Sequence, residues 1–178
     1  MNWQDGCLQG EPVETRHKTL AEVAELFHDQ AACQAMPPET LLYTVQVYRP
    51  QQDEGALAWG CTTLQPGRVG DEYFMTHGHF HARRDRSEFY ATLSGQGALL
   101  LMDDARHTWL EPMQSGSLHF ISGQFAHRVV NTGAEPLRFL ACWAFDAGHD
   151  YEVIARRGFG ARLLCRAAEP ALVEDGRD

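Results

Sequence analysis

The sequence predicts a single all-β domain built from antiparallel strands. Eight short runs of β-forming residues follow one another between residues 41 and 145, separated by clusters rich in Gly, Pro, Asp and Ser. No helical pattern alternates with these runs, as it would in a doubly wound parallel sheet. Many short strands at regular intervals indicate a sandwich or a small barrel, and 178 residues are enough to bury its core.

The first predicted element is a helix over residues 19–36. Thr19 and Glu22 match a capping box at its start. Apolar residues then recur with helical spacing, and Pro37 ends the pattern. We expect residues 1–40 to form an N-terminal extension whose one helix packs on the outside of the barrel as a brace.

The barrel itself is predicted to span residues 41–166. Segments with turn residues, such as 94–97 and 112–116, connect its strands. Residues 167–178 are polar or small, and we expect a C-terminal tail that could fray. The eight predicted strands cover residues 41–48, 56–63, 71–77, 87–93, 97–102, 117–121, 127–131 and 137–145.

Charge and composition narrow the function classes. The chain has 15 Lys and Arg against 24 Asp and Glu, a formal charge of −9, which argues against binding to nucleic acid or to an anionic membrane. Its apolar runs are far shorter than the roughly 20 residues of a membrane span. The N-terminus lacks the pattern of a secretory signal, and the five scattered cysteines fit reduced thiols. We therefore expect a cytoplasmic protein.

Four residues form a candidate metal site. His79 and His81 are two apart, so on a strand their imidazoles leave the same face. Glu88 begins the next predicted strand, and His127 opens a later one. Each residue alone has an ordinary structural explanation in a chain with nine histidines, so the hypothesis depends on their joint arrangement. Three imidazoles and a carboxylate suit iron, manganese, nickel or zinc better than calcium, which prefers oxygen ligands.

The surrounding motifs resemble the cupin superfamily. The first cupin motif is HxH followed by Glu and then Gly, and Gly95 matches that glycine here. The second motif is a later His followed by Asn, and Asn131 matches that asparagine. Ser122 and Gln124 stand where a general cupin has Pro and Gly. The gap between His81 and Glu88 is longer than usual, and with it the segment is similar to the archaeal-type, cupin glucose-6-phosphate isomerases. The matching residues are Gly78, His79, Phe80, His81, Asp85, Arg86, Glu88 and Tyr90.

This resemblance covers most of residues 40–166. It implies a cupin barrel, usually paired as a homodimer, that interconverts glucose 6-phosphate and fructose 6-phosphate. It also implies one divalent metal ion per chain, Fe²⁺ first, with Mn²⁺, Ni²⁺ or Zn²⁺ as alternatives. His77 stands where this family is expected to have Lys. The implied metal ligands are His79, His81, Glu88 and His127, and the implied substrate contacts are Tyr43, Thr62, Thr76, Gly78, Tyr90, His149 and Tyr151.

Aldose–ketose isomerisation moves a hydrogen between C1 and C2 of an open-chain sugar. A divalent ion can stabilise the developing enediolate, and a nearby carboxylate can relay the proton through a cis-enediol. Glu88 is the candidate for this base, and His149 could assist ring opening or orient the substrate. Two alternatives remain open at this point: another metal-dependent cupin enzyme such as an iron dioxygenase, which would consume oxygen, and a non-catalytic cupin that binds sugar or metal without turnover.

Overall fold

A computed structural model of the chain describes residue 2 and residues 6–176. Thirteen strands and two α-helices make up most of this part of the chain. The helices are α1 (Gln30–Ala35) and α2 (Glu152–Arg157), and neither has the length and apolar character needed to cross a bilayer. The strands are β1 (Val13–Thr19), β2 (Leu41–Tyr48), β3 (Leu57–Leu64), β4 (Arg68–Val69), β5 (Glu72–Tyr73), β6 (Glu88–Ser94), β7 (Gln96–Met102), β8 (Thr108–Gln114), β9 (Leu118–Ile121), β10 (Ala126–Asn131), β11 (Leu137–Ala144), β12 (Ala161–Arg166) and β13 (Glu169–Glu174).

The strands form three sheets in which all pairings among the described residues are antiparallel. The largest sheet has the order β1-β2-β3-β11-β6-β9, and the other two have the orders β10-β7-β8 and β13-β12-β5-β4. Leu42 and Phe139 from the largest sheet share one core with Leu99 and Val129 from the three-stranded sheet. The predicted all-β, antiparallel fold is confirmed.

The prediction of one helix over residues 19–36 is wrong. Two short 3-10 turns, Leu20–Glu22 and Ala24–Leu26, precede the six-residue helix α1. The Glu22 carboxylate does accept a hydrogen bond from the Thr19 N–H at 2.9 Å, but this pair caps a 3-10 turn rather than a helix.

Tertiary contacts explain why this helix is broken. The side chain of Arg162 donates to the Leu26 carbonyl at 2.8 Å, and the carboxylate of Glu72 accepts from the His28 N–H at 2.7 Å. These backbone groups therefore find partners outside the helical hydrogen-bond ladder, which removes the main reason for the segment to stay helical. Phe27 between them has extended backbone angles.

Five strands, β1, β4, β8, β12 and β13, were not expected from the sequence. Strand β1 has mostly exposed side chains on both faces, so it lacks apolar alternation, and it forms only by pairing with β2. Strand β8 extends into the predicted turn at 112–116, where Pro112 is tolerated because β8 lies at a sheet edge. The predicted strand 71–77 is reduced to β5 and an isolated bridge between Met75 and Val130.

The prediction of a fraying tail over residues 167–178 is also wrong where the structure describes it. Strands β12 and β13 form a hairpin whose turn contains Ala167 and Ala168, both with positive φ. Because β12 also bridges to β5, the hairpin extends the third sheet. Residues 177 and 178 of that predicted tail, like residues 1 and 3–5 of the N-terminal extension, lie outside the described part.

A buried ion network joins the N-terminal segment to the C-terminal hairpin. The Arg162 guanidinium donates to the Glu72 carboxylate at 2.8 Å and to the Asp175 carboxylate at 3.0 Å. All three side chains are at most 7% exposed. Since a buried charge without a partner is strongly destabilising, the network fixes how these two peripheral segments pack on the sheets.

We expect Glu72→Gln, which keeps the side-chain shape and removes the charge, to lower the free energy of unfolding by about 3 kcal/mol, because Arg162 then lacks one buried counter-charge. Urea unfolding followed by circular dichroism measures this change. Glu152→Gln is the control, since the exposed pair of Glu152 and Arg156 should contribute less than about 0.5 kcal/mol. Equal losses in the two variants would contradict this assignment.

Candidate metal centre and substrate cavity

The backbone places His79 and His127 directly opposite each other. The two residues form an isolated antiparallel bridge, in which the His79 N–H donates to the His127 carbonyl at 3.2 Å and the His127 N–H donates back at 3.0 Å. Residues paired in this way have side chains on the same face of the sheet. The two imidazole rings therefore lie close together, with their centroids 4.5 Å apart.

His81 and Glu88 complete the cluster. The His81 ring lies 5.2 Å from the His127 ring, centroid to centroid. Glu88 is the first residue of β6, and its Oε2 lies 3.1 Å from Nε2 of both His81 and His127. One potential ligand atom from each of the four residues lies within 4.8 Å of the other three, so the predicted metal set converges on one point.

Burial and hydrogen bonding set the charges in the cluster. Burial alone would raise the pKa of Glu88, but its close contacts with His127 and His81 outweigh burial and lower this pKa to about 2. Burial and then the neighbouring His127 lower the pKa of His79 well below its usual value. At neutral pH the cluster thus contains an ionised carboxylate and a neutral His79 imidazole, the protonation states that metal binding requires.

The donor atoms fit a transition metal ion. Nε2 of His79 is buried and has no hydrogen-bond partner among the described residues, so a bound ion would satisfy it. His81 Nδ1 lies 2.7 Å from the Arg86 carbonyl, which can only accept, so Nδ1 carries the proton and Nε2 faces the cluster. Three imidazole nitrogens and one carboxylate match the ligands of iron, manganese, nickel or zinc.

Three residues of the cluster, His79, Glu88 and His127, line a cavity of about 220 Å³. All the residues predicted as substrate contacts line it, and His81 is the one predicted site residue that does not. Burial raises the pKa of Tyr43 to about 12 and the pKa of Tyr90 well above its usual value. The predicted residues that line the cavity are Tyr43, Thr62, Thr76, Gly78, His79, Glu88, Tyr90, His127, His149 and Tyr151.

The segment from Thr76 to Gly78 requires a glycine at position 78. Gly78 has a φ of 77°, and a Cβ built there would lie 2.9 Å from side-chain carbons of both Arg128 and Phe159. Arg128 also donates to the carbonyl of His77 at 2.6 Å, and this hydrogen bond holds the backbone of the segment in place. A side chain at position 78 would therefore displace a backbone that faces the cavity.

His149 and Tyr151 lie exposed at the mouth of the cavity. Their segment pairs with the segment that carries His79 and His81, because Phe80 and Asp150 exchange two backbone hydrogen bonds of 3.1 and 2.8 Å. The His149 ring centroid lies 4.4 Å from that of His79, so the mouth and the metal cluster are adjacent.

His77, where a lysine is expected, also lines the cavity, and its ring centroid lies 4.8 Å from that of Tyr151. Burial and then the charge of Arg128 lower the pKa of His77. The position therefore holds a neutral imidazole at neutral pH instead of a permanent cation.

Sequence reasoning missed several cavity residues. Arg16 and Lys18 reach the mouth from β1, the strand without an apolar pattern, and Arg49 follows β2. Trp143 belongs to a predicted strand, where its alternation with Phe139 and Ala141 would have placed it on the cavity face. The cations Arg16, Lys18 and Arg49 are paired with Glu14 or Glu22, which partly balances the charge at the mouth.

Solved structures with some likeness to this fold include oxalate decarboxylases. The enzyme from Bacillus subtilis is 22% identical, with a TM-score of 0.48 over 60% of this chain and 26% of that chain. The enzyme from Lactobacillus farciminis is 19% identical, with a TM-score of 0.49 over 61% of this chain and 30% of that chain.

Sequence relatives match almost the whole chain. The family model described as glucose-6-phosphate isomerase matches residues 17–171. The glucose-6-phosphate isomerase of Pyrococcus horikoshii is 36% identical over 99% of this chain and 94% of the relative. That of Sinorhizobium medicae is 37% identical over 89% of this chain and 72% of the relative. The chain therefore belongs to the glucose-6-phosphate isomerase family.

Proposed function

We propose that this protein interconverts glucose 6-phosphate and fructose 6-phosphate in the cavity above the four-residue cluster. One observation carries the proposal: three imidazoles and one carboxylate converge on one point beside a cavity in a chain of this family. The iron dioxygenase and the non-catalytic cupin are not favoured, because the isomerases match nearly the full length of the chain. A cytoplasmic location stays a prediction.

We propose that His79, His81, Glu88 and His127 hold one divalent metal ion per chain. Fe²⁺ is the proposed ion, because it accepts a mixed set of nitrogen and oxygen ligands, and Mn²⁺, Ni²⁺ and Zn²⁺ are the alternatives. When bound, such an ion would supply Lewis-acid stabilisation of the negative charge that develops on the sugar oxygens.

Glu88 is the proposed proton relay between C2 and C1. Its carboxylate is ionised at neutral pH and can therefore accept a proton from the carbon beside the carbonyl. The contacts with His81 and His127 that hold its pKa near 2 also make it a weak base. We propose that Glu88 leaves these contacts when the substrate is bound, which raises its basicity and lets it carry the proton through a cis-enediol.

Neutral hydroxyl groups are proposed to bind the sugar phosphate. The Thr76 hydroxyl oxygen accepts from the Val129 N–H at 3.0 Å, so its hydrogen can be donated to a phosphate oxygen. The raised pKa values of Tyr43, Tyr90 and Tyr151 keep all three phenols protonated and able to donate. Thr62 and the backbone of Gly78 complete the proposed contacts.

His149 occupies the mouth, where a ring-closed sugar enters. Its ring lies parallel to that of Tyr151, with a centroid separation of 5.7 Å and an interplanar angle of 3°. We propose that His149 assists ring opening by exchanging a proton with the sugar ring oxygen or the anomeric hydroxyl. A neutral imidazole can do this because one nitrogen donates and the other accepts.

A homodimer is proposed from the outer face of the largest sheet. Tyr48, Trp59, Cys142, Phe89 and Phe120 are successive cross-strand neighbours on five strands. The last is 69% exposed, and the row borders a groove of about 1150 Å³. The outer face of an antiparallel sheet is usually polar when water covers it, so this apolar row favours cover by a second copy.

Metal removal should abolish isomerisation. We expect a chelated preparation to lose turnover of fructose 6-phosphate and regain it with Fe²⁺ or Mn²⁺. His127→Ala should lower kcat at least about 100-fold even with added metal, a barrier increase of about 2.7 kcal/mol. A coupled assay for glucose 6-phosphate measures both effects. His107→Ala is the control because its side chain is 80% exposed and outside the cavity. Full turnover by metal-free protein would contradict the proposal.

Isomerisation in D₂O tests Glu88 as the proton relay. We expect solvent deuterium at C1 or C2 of the product, measured by mass spectrometry, and a loss of turnover of about 100-fold to 10,000-fold in Glu88→Gln at saturating Mn²⁺. Glu111→Gln is the control, since Glu111 also pairs with a buried histidine, His119, but lies outside the cavity. Complete retention of the original hydrogen would instead favour direct hydride transfer between the two carbons.

The oligomeric state tests the apolar row. We expect the wild-type protein to sediment as a dimer and Phe120→Asp to sediment as a monomer, because a buried carboxylate without a partner opposes the interface. Leu110→Asp is the control, since Leu110 is 38% exposed but lies on β8 in another sheet. A wild-type monomer, or a dimer that Phe120→Asp leaves intact, would argue against this interface.

A further inference from the structure

The orientation of His81 depends on one backbone carbonyl. Nδ1 of His81 donates to the Arg86 carbonyl at 2.7 Å, which leaves Nε2 facing Glu88 at 3.1 Å. The carbonyl belongs to a turn within residues 82–87, in which the Arg86 N–H donates to the Arg83 carbonyl at 3.0 Å. The position of this turn therefore decides where the His81 ring points.

A two-pronged ion pair holds the turn. Nε of Arg86 donates to Oδ1 of Asp146 at 3.0 Å, and Nη2 donates to Oδ2 at 2.9 Å. The two side chains are only 20% and 18% exposed. A two-pronged ion pair of this kind fixes the relative orientation of the two side chains, which a single contact does not. Arg83 also donates to the same carboxylate, so Asp146 binds both ends of the turn.

Asp146 also precedes the segment that forms the cavity mouth. The Ala147 carbonyl accepts from the Arg83 N–H at 2.9 Å, and Asp150 pairs with Phe80 through two backbone hydrogen bonds. The carboxylate of Asp146 therefore fixes the turn to the same segment that carries His149.

Gly123 packs against the opposite side of the turn. A Cβ built on Gly123 would lie 2.1 Å from the Arg86 carbonyl oxygen and 2.7 Å from the Arg84 carbonyl oxygen, both far too close. The Gln124 side chain donates to the Arg84 carbonyl at 2.9 Å. The carbonyl that orients His81 is thus confined between Gly123 and the imidazole.

We propose that Asp146 is a positioning residue for the metal centre: through its two-pronged ion pair with Arg86, it fixes the carbonyl that orients His81. The inference rests on the proposed function only in that His79, His81, Glu88 and His127 hold a divalent ion. Hydrogen-bond partners of metal-bound histidines typically contribute a factor of about 10 to 100 in metal affinity.

Two other carboxylates touch Arg86 but do not have this role. Asp85 makes one contact with Arg86 at 2.7 Å and is 62% exposed, and Glu54 makes one at 3.0 Å and is 75% exposed. Exposed single contacts add little because water competes with them. Asp85 therefore offers a control with the same partner and the same chemistry as Asp146.

Mn²⁺ binding to the metal-free full chain tests this inference without any measurement of isomerase activity. Electron paramagnetic resonance of free Mn²⁺ gives the Kd, and the spectrum of bound Mn²⁺ reports its ligand geometry. We expect Asp146→Asn to raise the Kd about 10-fold to 100-fold and to change the bound spectrum. Asp85→Asn should stay within about threefold of the wild type. Gly123→Ala should also raise the Kd, since its Cβ displaces the Arg86 carbonyl.

The outcomes separate this inference from the proposed function. Wild-type affinity and an unchanged spectrum in Asp146→Asn would overturn the positioning role and leave the isomerase proposal intact. An equal loss of Mn²⁺ affinity in Asp85→Asn would also overturn the positioning role, because the effect would then depend on the net charge of the protein and not on the ion pair of Asp146. If Asp146→Asn is unfolded, Gly123→Ala decides the question: a wild-type Kd there overturns the inference. A wild-type chain that takes up no Mn²⁺ would overturn both the metal site and this inference.

Discussion

The antiparallel bridge between His79 and His127 is the constraint on which the site depends. Two backbone hydrogen bonds bring together residues that are distant in the chain and place their imidazoles on one face. With this pair fixed, Glu88 at the start of β6 lies close enough to contact both His81 and His127. The backbone pairing therefore brings the candidate metal cluster together, and three of its four residues line the cavity.

Burial and contacts with imidazoles together set the protonation states in this cavity. Burial raises the pKa of Tyr43 and Tyr90 further above neutral pH, and both phenols can donate hydrogen bonds to an anionic substrate. The same burial would raise the pKa of Glu88, but two imidazoles reverse the effect and keep its carboxylate charged. Neutral donors and one charged acceptor thus coexist in a small volume, which is the combination that proton transfer on a sugar phosphate requires.

Much of the candidate site could be predicted from the sequence, because part of its residue pattern lies within a short segment. Two histidines separated by one residue on a strand share a face, and the motif resemblance supplied Glu88 and His127. The peripheral elements could not be predicted in this way. Strand β1 exists only through its pairing with β2, and the helix expected at 19–36 is broken because side chains far along the chain bind its backbone. The cations Arg16 and Lys18 were missed for the same reason as β1.

Anomalous X-ray diffraction from crystals of the Zn²⁺-loaded protein would show whether the four residues bind one metal ion. We expect one strong zinc peak per chain, about 2.0–2.2 Å from a nitrogen of each of His79, His81 and His127 and from a carboxylate oxygen of Glu88. A zinc peak elsewhere in the protein, or a His127 imidazole that turns away from the His79 and His81 pair, would contradict this expectation.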